Sequence, residues 1–179
     1  MLGDIARYLI DIAAAVLGVT LLLRAYMNWL GMPGRNPLAQ FVYALTDWLV
    51  QPLRRALPAA GRIDTASLVA ALLVALLSWM LLFALRGVAG MWPWGSIILL
   101  SLAQVLRWSL YLVMWLTIIH VMLSWINPYA PAAPGIAMLV RPFLAPFQRV
   151  IPSVGGIDLS PLALLVVVNV LLLVLGRIG

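Results

Sequence analysis

Four long apolar runs, grouped in pairs with a short amphipathic stretch between the members of each pair, set the pattern of this chain. Thr65 to Leu85 carries no charge and stops at Arg86, and Leu159 to Gly176 repeats that form and stops at Arg177. Each is close to the ~20 apolar residues that the hydrocarbon core of a bilayer demands. The runs from about Asp4 to Trp29 and from about Ser96 to Trp125 are longer than a perpendicular crossing needs, which predicts tilted helices. Between the first and second run, Leu38, Phe41, Val42, Leu45, Trp48 and Leu49 fall at helical spacing, with Gln40, Asp47 and Gln51 off the stripe. Ile136, Leu139, Val140, Phe143 and Phe147 repeat that stripe between the third and fourth. Such stretches predict interfacial helices. Their shortness, and the prolines at 52, 142 and 146, argue against a full crossing.

The pairing reflects an internal repeat. At an offset of 94, Pro52, Arg55, Pro58, Gly61, Ile63, Asp64 and Leu68 fall on Pro146, Arg149, Pro152, Gly155, Ile157, Asp158 and Leu162 without a gap, a signature of duplication. The long first helices align at an offset of 96, which sets Trp29 on Trp125, Arg24 on His120 and Asp11 on Arg107. Within each motif the flanking prolines confine Leu53 to Leu57, or its counterpart, to about one helical turn. Gly61 and Gly155 permit a turn. Asp64 and Asp158 stand where a carboxylate satisfies the free amides of the helix that follows. Ser160 and Pro161 read as N-cap and first helical residue of the last helix. Arg55 and Arg149 are the expected partners of Asp64 and Asp158.

These elements give an all-α membrane protein with four transmembrane helices. It is built as two tandem repeats of helix, interfacial amphipathic helix, Pro/Arg/Asp motif and helix. Residues 1–86 form repeat 1, residues 87–95 a linker with an aromatic turn at Trp92 to Gly95, and residues 96–179 repeat 2. An even number of crossings per repeat leaves both copies in the same orientation, related by an axis along the membrane normal. Arg24, Arg35, Arg54, Arg55, Arg62, Arg141 and Arg149 lie toward the motif side, against Arg7, Arg86, Arg107 and Arg177 on the other. The positive-inside rule then places both motifs in the cytoplasm and both termini outside. Asp4 and Asp11 interrupt the first run, which reads as a retained membrane helix and not a cleaved leader.

Composition narrows the chemistry. The chain of 179 residues is 65% hydrophobic and 9% charged, too apolar for an ordinary soluble domain. The net charge of +6 is scattered between apolar spans without forming a basic face. That points to retention beside anionic lipid and away from nucleic acid. No cysteine is present, which excludes disulfides, thiolate metal sites and cysteine nucleophiles.

Arg24 with Trp29, Asn36-Pro37, Thr46-Asp47, the block Pro52-Leu53-Arg54-Arg55-Ala56-Leu57-Pro58 and Ile63-Asp64 form a recognisable set. With Ser124-Trp125 and Gly155-Gly156-Ile157-Asp158-Leu159-Ser160-Pro161, they resemble the YggT family of bacterial membrane proteins, which has plastid relatives. The resemblance implies a multi-pass protein of the bacterial inner membrane. It carries associations with osmotic-stress tolerance, potassium uptake, cell-division gene neighbourhoods and plastid cytochrome maturation, and no agreed molecular activity. His120 and Gln148 stand where the family often has arginine.

Catalysis finds little to work with. One histidine, no lysine and no paired intramembrane aspartates leave no base beside a nucleophile and no zinc-binding pair. The protein is therefore expected not to be an enzyme and to hold no cofactor. His120, which shares a face with Thr117 and Ser124, is open to a haem or metal role, but a packing hydrogen bond is favoured because intramembrane polar groups pair inside the bundle. Arg24 and Asn28 lie at the depth of His120 and Ser124, near Arg55, Asp64, Arg149 and Asp158. This polar cluster is either an ion vestibule or a sealed structural network, the second being favoured. Asn169 reads as interhelical glue. Opposite charges at equivalent positions, Asp11 against Arg107 and Asp47 against Arg141, are candidate pairs between repeats, with chance or local pairing, such as Asp11 with Arg7 one helical turn away, slightly favoured. Partners are expected to be the lipid bilayer and membrane proteins, or further copies of this chain. The functional expectation is a non-enzymatic scaffold, assembly or stress factor of the inner membrane, with ion transport as the alternative.

Overall fold

The computed structural model describes residues 2–57, 61–85, 93–151 and 158–177. Six helices follow in order: α1 (Leu2–Leu30), α2 (Pro37–Ala56), α3 (Thr65–Leu85), α4 (Trp94–Ile126), α5 (Ala133–Gln148) and α6 (Ser160–Gly176). No strand occurs among the described residues. Three of the helices, α1, α3 and α4, are long and apolar enough to cross a membrane, whereas α6 is apolar but has only 17 residues. The chain is a helical membrane protein.

Local chemistry sets the boundaries. Asn36 caps α2 by accepting a hydrogen bond from the Leu38 amide, and Pro37 occupies the first helical position, where its missing N–H costs nothing. The prolines at 52, 142 and 146 were expected to limit these segments, yet α2 runs on through Pro52 to Ala56 and α5 contains both Pro142 and Pro146. All three prolines are exposed, so the lost hydrogen bond leaves no orphan in the core. Ser160 also departs from expectation. It is the first residue of α6, and Asp158 supplies the side-chain acceptor, 2.9 Å from the Ser160 amide. Trp94 and Gly95, expected in a turn, open α4, while Trp92 and Gly155 lie outside the described residues.

Packing is densest where α1 meets α3. The inner face of α3 is lined by Ala66, Ser67, Ala70, Ala71, Ala75 and Ser78, small side chains that let helix axes approach closely. On the other side α1 meets α4, where a Cβ on Gly18 would run into the indole of Trp108. Each packing within the first three helices has a counterpart within the last three: α2 on α1 and α5 on α4, α3 on α1 and α6 on α4, α2 on α3 and α5 on α6. Tyr26 bridges the two sets by donating from its hydroxyl to the Leu139 carbonyl at 2.8 Å. The core is a single cluster that includes Leu21, Met27, Val42, Trp108 and Leu139.

Candidate functional site

The densest polar structure begins at a turn. Gly61 adopts φ +63°, a left-handed conformation that other residues resist, and the chain then enters α3 at Asp64. Asp64 is 2% exposed. Its Oδ2 accepts hydrogen bonds from Asn28 Nδ2 at 2.6 Å, Arg54 Nη2 at 2.7 Å and Ser67 Oγ at 2.8 Å. Oδ1 accepts from the Ser67 amide at 3.3 Å, which makes Asp64 the N-cap of α3. Arg24, 3% exposed, approaches the same carboxylate with Nε 3.7 Å from Oδ2. Arg24 Nη1 donates to Thr46 Oγ1 at 2.8 Å and to Asp47 Oδ1 at 2.7 Å. The Arg24 guanidinium also sits 4.8 Å from the centre of the Tyr43 ring, whose hydroxyl donates to Asn28 Oδ1 at 3.1 Å.

Helical spacing explains who takes part. Arg24 and Asn28 are one turn apart on α1, and Tyr43, Thr46, Asp47 and Arg54 recur on one face of α2. Arg55, the partner expected for Asp64, falls about 100° further round that helix and is exposed. Arg54 takes its place. Burial pushes the Asp64 carboxyl upward, but the hydrogen bonds from Ser67 and Arg54 and the charge of Arg54 outweigh it and hold the group below the usual carboxylate range. Two arginines and two aspartates thus cancel in charge while joining α1, α2 and α3.

The second half carries a thinner version. Position for position, Arg24, Asn28, Tyr43, Thr46, Asp47, Arg54 and Ser67 become His120, Ser124, Ala137, Val140, Arg141, Gln148 and Pro161. Only Asp158 keeps its type, and it is exposed. Its partner is Gln148, with Nε2 2.8 Å from Oδ2, instead of the expected Arg149, which is exposed. Burial raises the Asp158 carboxyl. Hydrogen bonds from Gln148 and Ser160 and the charge of His120 prevail and set it below its ordinary value. His120 and Ser124 face a cavity of about 270 Å³ beside Pro134 and Ala137.

The candidate pairs between halves do not form, and for Asp11 the favoured local pairing does. Asp47 bonds Arg24, and Arg141 is exposed without an acid partner among the described residues. Asp11 lies 3.8 Å from Arg7 on its own helix, and Arg107 donates to the Leu175 carbonyl at 3.2 Å. Asp11 and Arg107 nevertheless line one cavity of about 720 Å³ toward the chain termini, with Thr20 and Gln104. Trp108, essentially unexposed, is part of the wall of this cavity. Asn169, expected to join helices, is exposed and bonds the Leu165 carbonyl of its own helix. Of Tyr43, Thr46, Arg54 and Ser67, only Thr46 and Arg54 are named from the sequence, and those as parts of the family resemblance and not as site residues. The helical spacing of the first three around Asp47 was the signal that would have found them. No group of three or more metal-ligating side chains occurs among the described residues.

An all-helical membrane bundle with a neutral, buried Arg/Asp network at the junction of three helices is the class that these observations define. The CCB3/YggT family matches residues 4–85 and 99–179, and the chain belongs to that family. It is 31% identical over 166 residues to the uncharacterized protein YggT of Escherichia coli strain K12, covering 92% of this chain and 85% of that one. It is 33% identical over 171 residues to an uncharacterized protein of Pseudomonas aeruginosa, covering 90% and 83%. A Vibrio alginolyticus relative is 28% identical over 149 residues, covering 83% and 80%. No solved structure matches the chain.

Proposed function

We propose that this protein is a non-enzymatic scaffold or assembly factor of the bacterial inner membrane. It crosses four times, as two tandem repeats, with both motifs cytoplasmic and both termini outside. The observation that carries the reading is the charge balance of the Asp64 network, in which Arg24 and Arg54 face Asp47 and Asp64 while Arg24 Nε, 3.7 Å from Asp64 Oδ2, makes no hydrogen bond. Its charges are spent on one another, so the network fixes α2 against α1 and α3 instead of waiting for an ion. What α2 then presents outward is Phe41, Leu45 and Trp48, all exposed, beside Arg55. This is an aromatic and basic ridge suited to lipid headgroups or a partner helix. The two matched family segments support the repeat, and the arginine distribution supports the orientation.

A second reading, ion transport, is favoured by the polar cavity around Asp11 and Arg107. A conduit needs polar groups or water along its whole length, and α3, which carries no charged side chain from Thr65 to Leu85, opposes that. Reconstitution into potassium-loaded liposomes separates the two. The expected efflux equals that of protein-free liposomes, and efflux above that control, abolished by Arg24→Ala, overturns the scaffold reading.

A further inference from the structure

Between the halves of the chain, α3 packs against α4. The counterpart of that contact would be α6 against α1, yet these two helices make no comparable packing. The surfaces concerned are left open. Ser101 of α4 is 0% exposed, whereas its equivalent at offset 96, Ile5 of α1, is 54% exposed, and Ile12 on the same helix is 43% exposed. On the other side, Ala75 is buried in α3 while its equivalent at offset 94, Asn169 of α6, is exposed.

Asn169 is the second, independent observation. It sits mid-helix in an apolar run, and its amide oxygen accepts no hydrogen bond among the described residues. Polar groups at such depth face a bundle interior or a neighbouring helix, because lipid offers them nothing. Counting back equally from Leu85 and forward from Trp94 sets Ala71 level with Trp108, Ala75 with Gln104 and Ser78 with Ser101. Carried over, the same register sets half-buried Leu165 against Ile12, exposed Asn169 against Tyr8, and Leu172, which is half-buried against this chain's own core, against Ile5. Tyr8 is exposed, and its hydroxyl is a donor for the idle Asn169 oxygen.

We infer that α6 docks on α1 of a second copy of this chain, with Asn169 facing Tyr8 of that copy. The occupant is a second copy because the repeat makes α1 the counterpart of α4, the helix that packs on the equivalent helix α3. In a pair closed by a two-fold axis, both open faces are covered at once, and four equivalent units then surround the axis.

Disulfide trapping in native membranes tests this without background, since the chain has no cysteine. Full-length protein carrying Ile12→Cys with Leu165→Cys, or Ile5→Cys with Leu172→Cys, is expected to give a species of twice the mass on mild oxidation. Leu99→Cys with Leu165→Cys is the control, because Leu99 is exposed on α4 outside the open faces. Trapping no faster than that control in both pairs overturns the inference, and a ladder beyond twice the mass overturns the closed pair. Asn169→Leu is expected to weaken association in detergent roughly five- to thirtyfold, the range of an interhelical hydrogen bond. An Asn169 that merely faces lipid would instead leave association unchanged.

Discussion

Arg54 Nη2 lies 2.7 Å from Asp64 Oδ2, while Arg55, its neighbour in the chain, is exposed and pairs with no acid among the described residues. The two arginines are therefore not interchangeable. Arg54→Ala is expected to cost about 1 kcal/mol, a modest figure because the Arg54 side chain is partly solvated. Arg55→Ala should stay within about 0.5 kcal/mol of the parent. Thermal unfolding in detergent measures both, and equal losses would contradict the geometry.

Asp64 and Asp158 occupy equivalent places with unequal surroundings. Removing the Asp64 carboxylate leaves Arg24 its bonds to Thr46 and Asp47 but takes the acceptor from Asn28, Arg54 and Ser67, a loss of about 1–3 kcal/mol. Asp158 is exposed and bonded to Gln148, so Asp158→Ala should cost about 1 kcal/mol or less. The difference between the two variants is the measurement.

Acid should loosen the motif end of the bundle. A carboxyl depressed in the folded state contributes stability that is complete above its unfolded value, about 3.9. That contribution is lost as the pH falls through the lower folded value. Asp64 meets that condition through the hydrogen bonds from Ser67 and Arg54. Thermal stability should therefore drop below about pH 4, and the drop should be smaller in Asp64→Asn than in the parent.

Gly18 and Trp108 form a close steric contact between α1 and α4. A methyl group at Gly18 meets the indole directly, and overpacking of this kind costs about 1–3 kcal/mol. Gly18→Ala is expected to lower the melting temperature, and adding Trp108→Leu should recover part of the loss.

Asp11 and Arg107 share a cavity wall without pairing. Exchanging their charges should therefore give no rescue: the double variant Asp11→Arg with Arg107→Asp should be no more stable than the worse single variant. Recovery in the double variant would mean that the pair forms across the cavity.

Helix identity was largely legible along the chain because a helix that lies in a bilayer is apolar all round and of a set length, while an interfacial one keeps an apolar stripe. Thr65 to Leu85 was placed to the residue, and the amphipathic stripes located α2 and α5. Proline misled only where its cost depends on surroundings, at exposed positions on the outer side of α2 and α5. The repeat marked Asp64 through its identity with Asp158. That same identity drew attention to Arg55, because Arg55 and Arg149 match while Arg54 and Gln148 do not.

The sequence by itself determined the apolar helices, their order, and the aspartate that starts α3, since hydropathy, proline and glycine act locally. Tertiary structure alone decided that Arg24 takes Asp47 and that Asp64 takes Arg54. Such choices depend on which faces of α1, α2 and α3 meet. A rotation of about 100° per residue separates neighbouring side chains on a helix, and packing of the small-residue face of α3 fixes that rotation.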